Sequence, residues 1–138
     1  MSVYYQNTRS VRGKLKELTC GLSAHESDIY FFTETWLMDS VNSAELGFQH
    51  HSVYRTDRSS ENSNLQDGGG VLIAVKKNIP SYQVSINNNK SEALFVHVKY
   101  KTTKIILGCC YLNVPSAAAI TNLTEVLNEV LLKFHTIR

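Results

Sequence analysis

The sequence predicts an α+β domain with helices packed on a mixed β-sheet. Three observations lead there. Short apolar runs bounded by Gly, Asn and Ser recur along the chain, above all Ile29–Phe32 and Val71–Val75, and such runs read as buried strands. A stretch of helical spacing lies between the first two strand candidates, which makes a βαβ unit. A second such stretch closes the chain. With 138 residues, 43% hydrophobic and 19% charged, the chain suits one domain with its own core.

Val3–Gln6 is the first short strand, broken at Asn7-Thr8-Arg9-Ser10. Ser10 is placed to cap a helix. Val11, Leu15, Leu18 and Leu22 follow at spacings of four, three and four, forming one apolar helix face. Asp28 opens the second strand, which stops at Thr33-Glu34-Thr35. The βαβ geometry makes these two strands parallel, so Asn7 and Glu34 reach the same sheet edge, where open α/β sheets place ligands. Residues Asp39–Phe48 read as irregular or a short helix, and Gln49–Tyr54 as a strand. Arg58–Asp67, rich in Ser and Asn, reads as a polar surface loop. Gly68-Gly69-Gly70 leads into the strand Val71–Val75. Tyr82–Ile86 is a weaker strand. Ala93–Tyr100 alternates, with Leu94, Val96 and Val98 on one face, and pairs as a hairpin with Ile105–Tyr111. Pro115-Ser116 starts the last helix, with Ile120, Leu123, Leu127, Val130, Leu131 and Phe134 at helical spacing.

The net charge of +2 selects no partner, because a local patch outweighs the sum. No apolar run approaches the roughly 18 residues of a membrane span, and the N-terminus lacks the pattern of a secretory signal. The three cysteines, Cys20, Cys109 and Cys110, show no CxxC spacing. They read as reduced core thiols of an intracellular protein, without a zinc site. His50 and His51 are neighbours in a strand, so their side chains diverge and cannot share a metal. Gly68–Gly70 lacks the Lys and helix of a phosphate loop and reads as a close approach before a buried strand. A carboxylate at a strand end, Glu34, is either solvated or a metal ligand; the spacing leaves both open. Asn7 and Tyr111, also at strand ends, stand on the same footing.

Five segments in order change this. "YYQNTRSVRGKL", "DIYFFTETWL", "YRTDR" followed by "DGGGVLIAVK", "SEALFVHVKY" and "IILGCCYLNVPS" together resemble the endonuclease/exonuclease/phosphatase family. They are most similar to the apurinic-type endonuclease domains of non-LTR retrotransposons, from about Val3 to Phe134. The resemblance implies a DNase I-like four-layered α/β/β/α sandwich. It also implies cleavage of phosphodiester or phosphomonoester bonds with Mg²⁺ (or Mn²⁺). In that pattern Glu34 is a metal ligand, Asn7 supports metal and scissile phosphate, and Tyr111 contacts the phosphate. Arg9 and Asn113 are candidate contacts to nucleic acid. The "YLNVPS" segment departs from the family's "YRPP"-like wording.

The family's "GDFN"-like and "SDH"-like segments are absent from the 138 residues. The chain is therefore expected to be the N-terminal portion of one such domain, residues 1–138, one mixed sheet with helices on one face. The expected partners are DNA, the other half of the domain and a reverse transcriptase domain in the parent element, with no membrane. Two other readings stay open: a non-catalytic remnant that binds DNA or protein, and a relative acting on lipid, inositol or RNA phosphates. A single sheet would leave one face, carrying alternate residues of Val71–Val75, Leu94–Val98 and Ile105–Cys110, apolar and bare.

Overall fold

The computed structural model describes residues 1–11, 14, 17, 21, 26–60, 62–63, 68–87 and 89–136, without the side chains of 135 and 136. Among the described residues the strands are β1 (Val3–Asn7), β2 (Ile29–Thr33), β3 (His51–Thr56), β4 (Val71–Lys76), β5 (Ser81–Gln83), β6 (Glu92–Tyr100) and β7 (Thr103–Tyr111). A 3-10 turn spans Ser43–Leu46, and helix α1 runs Ala117–Thr136. The α+β class expected from the sequence is what forms. Strand ends differ by a residue or two from expectation, and β5 is shorter. Of the first helical face, Val11 is buried; Leu15, Leu18 and Leu22 lie outside the described residues.

β1 and β2 pair in parallel from Val3 opposite Ile29 to Asn7 opposite Thr33, as the βαβ reading requires. The other ladders are antiparallel. The strands divide into two sheets, a four-stranded one ordered β1-β2-β4-β3 and a three-stranded one ordered β5-β6-β7. This corrects the expectation of one sheet with a bare inner face. Ile29, Val71, Ile73 and Val75 of the first sheet meet Leu94, Val96, Val98 and Cys109 of the second in one core. The chain covers its own sheet. The alternation along β6 and β7 fixed which residues share a face, but a period of two says nothing about which sheet a strand joins.

Two further clusters cover the outer faces. Tyr30, Phe32, Leu72 and Ala74 pack under Val11, Leu37, Leu46 and Phe48 on the outside of the first sheet. Ala93, Phe95 and Val84 pack under Val126 and Val130 of α1 on the outside of the second. Four layers result from alternation on β4 and β6, each buried on both faces. Ser116 caps α1, its Oγ accepting from the Ala119 N–H at 3.1 Å. The helix buries a narrower stripe than its pattern suggested. Leu123 is partly buried, but Ile120, Leu127 and Leu131 are exposed, because a three-stranded sheet covers only part of a wide apolar face.

Candidate functional site

The site is assembled by backbone hydrogen bonds around one residue. Past β2 the chain enters Glu34 with φ 53° and Trp36 with φ 56°, a left-handed conformation that costs a non-glycine residue energy and persists only where neighbours enforce it. Two neighbouring segments enforce it. On one side the Glu34 carbonyl accepts from the Ser10 N–H at 2.8 Å and the Thr8 hydroxyl at 3.1 Å, and the Thr35 carbonyl accepts from the Val11 N–H. On the other side the Thr35 N–H donates to Gly70 O and the Trp36 N–H to Gly69 O. Glu34 is thus pinned between the segment after β1 and the segment before β4.

Its side chain meets the end of β7. The Tyr111 hydroxyl donates to Glu34 Oε1 at 2.7 Å. Asn113 Oδ1 lies 3.2 Å from the same hydroxyl, which has one proton, and the shorter bond to a carboxylate is the stronger. That bond, followed by partial burial and the nearby Glu34 charge, pushes the Tyr111 phenol up to about 12. Tyr111 therefore keeps its proton at neutral pH. Asn7, opposite Thr33 in the parallel ladder, ends β1 at the same edge. It is exposed, and its Oδ1 accepts from the Arg9 N–H at 3.3 Å. Arg9 is itself exposed, with φ 45°. Beside Tyr111 a cleft of about 490 Å³ of mixed character opens, bordered by Asn62, Lys90, Asn113 and Asn122 and by Leu112 and Val114.

Beneath Glu34 and Tyr111 lies a group that the sequence reading did not single out. Arg58, placed in a polar surface loop by composition, has a buried side chain. Its Nε and Nη2 donate to Glu92 Oε1 at 3.2 Å and Oε2 at 3.1 Å. Each side chain retains 5% of its accessible surface. Glu92 Oε1 also accepts the Gly70 N–H at 2.9 Å. The glycines are required here. A Cβ on Gly69 (φ 64°) would lie 2.0 Å from Glu92 Oε1, and one on Gly70 (φ 89°) would lie 2.5 Å from Thr35 Oγ1. This bears out the close approach expected at Gly68–Gly70. The signal available in advance was the second Arg of "YRTDR" and the Glu opening "EALFVHV", charged residues flanking apolar strands. His50 and His51 do separate, and the His51 ring instead lies 2.9 Å from Ser27 O.

Could these residues hold a cation? Among the described residues no three His, Cys, Asp or Glu side chains come together. The set at this edge is one carboxylate and one amide oxygen. That fits a hard cation retaining most of its water, as Mg²⁺ does beside phosphate, and does not fit a dehydrated structural metal.

No family model and no curated protein matches this sequence. The fold, in contrast, is well represented among solved structures. Two packed sheets in this strand order with a helix outside form the endonuclease/exonuclease/phosphatase fold, and that is the fold of this chain. It is similar to the endonuclease domain of TRAS1, a telomere-specific non-LTR retrotransposon, with a TM-score of 0.62 and 14% identity over 90% of this chain and 52% of that one. An endonuclease/exonuclease/phosphatase family protein from Leptotrichia buccalis matches with a TM-score of 0.59 and 12% identity, over 94% and 62%. The 3' phosphatase NExo from Neisseria, bound to a product DNA hairpin, matches with a TM-score of 0.56 and 15% identity, over 96% and 53%. The chain thus spans about half the length of the structures it matches. No helix among the described residues is long and apolar enough to cross a membrane.

Proposed function

We propose that this chain carries the Glu34 side of a Mg²⁺-dependent phosphodiester-cleaving site, of the kind used by a retrotransposon DNA endonuclease. The observation that carries the reading is the 2.7 Å bond from the Tyr111 hydroxyl to Glu34 Oε1, at the edge where Asn7 also ends its strand. Glu34 and Asn7 would hold the cation. Bound there, it would supply Lewis acidity to a phosphoryl oxygen.

The chain's own groups do the rest of the positioning. Tyr111 donates its proton to Oε1, which orients the carboxylate and leaves Oε2 as the oxygen to meet the cation. Because its phenol stays protonated at neutral pH, Tyr111 adds no negative charge to a place meant for phosphate. Arg9 and Asn113 border the edge as contacts for the nucleic-acid backbone. DNA as substrate is supported by the neighbours named above, one of them bound to a DNA hairpin. The 138 residues contain no "GDFN"-like or "SDH"-like segment, so no second carboxylate or histidine within them serves as water-activating base. General bases contribute roughly 10²–10⁴-fold. The chain by itself is thus a binding half-site with negligible cleavage.

Two measurements test this. Water-proton relaxation with Mn²⁺ should report binding that Mg²⁺ displaces and that Glu34→Gln abolishes. Equal Mn²⁺ binding by both chains would sink the metal-site reading. Supercoiled plasmid incubated with the purified chain and Mg²⁺ should stay intact. Nicking that disappears in Glu34→Ala would keep the site and overturn the inactivity.

A further inference from the structure

We propose that the buried Arg58–Glu92 pair is the positioning element that holds Tyr111 against Glu34. Arg58 follows β3 of the first sheet, and Glu92 is the first residue of β6 in the second. Their forked contact is a buried polar bridge between the sheets at the site end, beside the Tyr111–Glu34 bond. Two short paths leave it. Toward Glu34, Glu92 Oε1 accepts the Gly70 N–H, Gly70 O accepts the Thr35 N–H at 3.3 Å, and Gly69 O accepts the Trp36 N–H at 2.9 Å. Toward the phenol, Glu92 stands opposite Tyr111 in the β6–β7 ladder. The pair therefore fixes the turn after Glu34 and the strand end of Tyr111 through one carboxylate.

A stability role alone explains this poorly. A buried ion pair adds little net stability over apolar residues of the same volume, since desolvation offsets the attraction. What such a pair supplies is direction. Arg58 presents a rigid fork, and Glu92 meets it with both oxygens while also receiving Gly70. No freely rotating apolar side chain would define the same distance between the sheets. Gly69, which approaches the pair, lacks the Cβ that would displace it.

The inference deepens the proposed cation site and rests on that reading only for the meaning of the Tyr111–Glu34 contact. The contact itself can be read without metal. The chain is labelled with ¹³Cζ-tyrosine, and the Tyr111 resonance is assigned with Tyr111→Phe. Glu34→Gln marks where that resonance goes when the charged acceptor is lost. The double variant Arg58→Met/Glu92→Met removes both charges of the pair together, and circular dichroism with urea titration checks that it folds. We expect the Tyr111 resonance of the folded double variant to move to the Glu34→Gln position, with the other tyrosines unmoved. A folded double variant with the parental Tyr111 resonance overturns the proposal. If the double variant does not fold, Arg58→Lys decides. It keeps the charge and loses the fork, so Tyr111 should move part of the way, and an unmoved resonance overturns the proposal. Mn²⁺ binding is measured on the same samples. Absent Mn²⁺ binding in the parent chain would count against the metal site and leave the resonance result to decide the pair.

Discussion

The site end of this sandwich and its apolar flank, β1 at the edge of one sheet and α1 outside the other, are built by opposite rules. At the site end a charged pair is buried and bonded, with Arg58 on Glu92 and Glu92 on Gly70, while Thr35 Oγ1, Asp57 Oδ1 and Ser91 Oγ beside it are buried without a hydrogen-bond partner. Along the flank apolar groups face water. Val3 and Tyr5 of β1 are 54% and 62% exposed, and Ile120 and Leu131 of α1 are 53% and 55% exposed. Between β1 and β7 a cleft of about 300 Å³ opens, lined by Tyr5, Phe31, Thr33, Gly108, Cys109 and Cys110. Burying a polar group is costly unless it is bonded, so a small displacement at the site end loses much. An exposed apolar side chain has little left to lose. The two regions should therefore respond to substitution on very different scales.

Gly69→Ala sharpens the comparison most. The new Cβ would meet Glu92 Oε1 at 2.0 Å and Arg58 Nε at 2.4 Å, on a backbone with φ 64°. The left-handed conformation alone costs Ala about 1–2 kcal/mol, and breaking a buried pair costs about 3–5 kcal/mol. The urea midpoint should fall by the equivalent of several kcal/mol. A loss under about 1 kcal/mol would mean that Arg58 and Glu92 shift freely and that the site end is no more rigid than the flank. Gly21→Ala is the control, because among the described residues nothing lies within 4 Å of its added Cβ.

Ile73→Ala probes the core that joins the regions. Ile73 is fully buried in β4 between the two sheets. Truncation there should cost about 2–5 kcal/mol, the cavity adding to the lost transfer energy. A cost below about 1 kcal/mol would show that the second sheet does not close on the first.

This core also marks how far the sequence could be read. The runs Ile29–Phe32 and Val71–Val75, the parallel β1–β2 pair and the β6–β7 hairpin follow from periodicity and turn residues. The edge shared by Asn7, Glu34 and Tyr111 follows from topology. The division into two sheets does not, because long-range pairing leaves no local trace. Arg58 was hidden for a related reason. Its surroundings, Ser59, Ser60, Asn62 and Ser63, have the composition of a solvated loop, and only the fold brings Glu92 to it, 34 residues along the chain. Val126 was missed on α1 because β-branched residues weigh little in a Leu-rich helical stripe, yet the sheet selects it.

The next effect depends on pH. Burial pushes the Cys109 thiol from its ordinary 9.0 up to about 12, and Tyr111 is pushed from 10.0 up to about 12. In both cases the folded chain holds the proton that the unfolded chain has released. Their contribution is complete below pH 9 and is lost as pH rises through the window from 9 to about 12. Each group steepens the fall by at most about 1.4 kcal/mol per pH unit. Urea midpoints from pH 8 to 10.5 should decline in the parent and decline less in Cys109→Ala. Parallel slopes would show that Cys109 is not sealed between the sheets. Labelling with iodoacetamide at pH 8 should reach exposed Cys110 well before buried Cys109.

The smallest effect belongs to the flank and sets two neighbouring residues of α1 against each other. Val126 is 4% exposed and packs on Phe95 and Ala93; Leu127, one position on, is 41% exposed. The sequence pattern placed Leu127 on the buried face, and the structure gives that place to Val126. Removing the Val126 methyl groups should cost about 1–2 kcal/mol, from roughly 0.8 kcal/mol per buried carbon and a small cavity. Leu127→Ala should stay within about 0.5 kcal/mol, because little of its area leaves water and Ala suits a helix at least as well. Urea denaturation of the two variants reads the difference directly. If Leu127→Ala is the costlier, the helix is rotated from the position described, Ile120, Leu127 and Leu131 are its packing face, and the contrast between site end and flank fails on the α1 side.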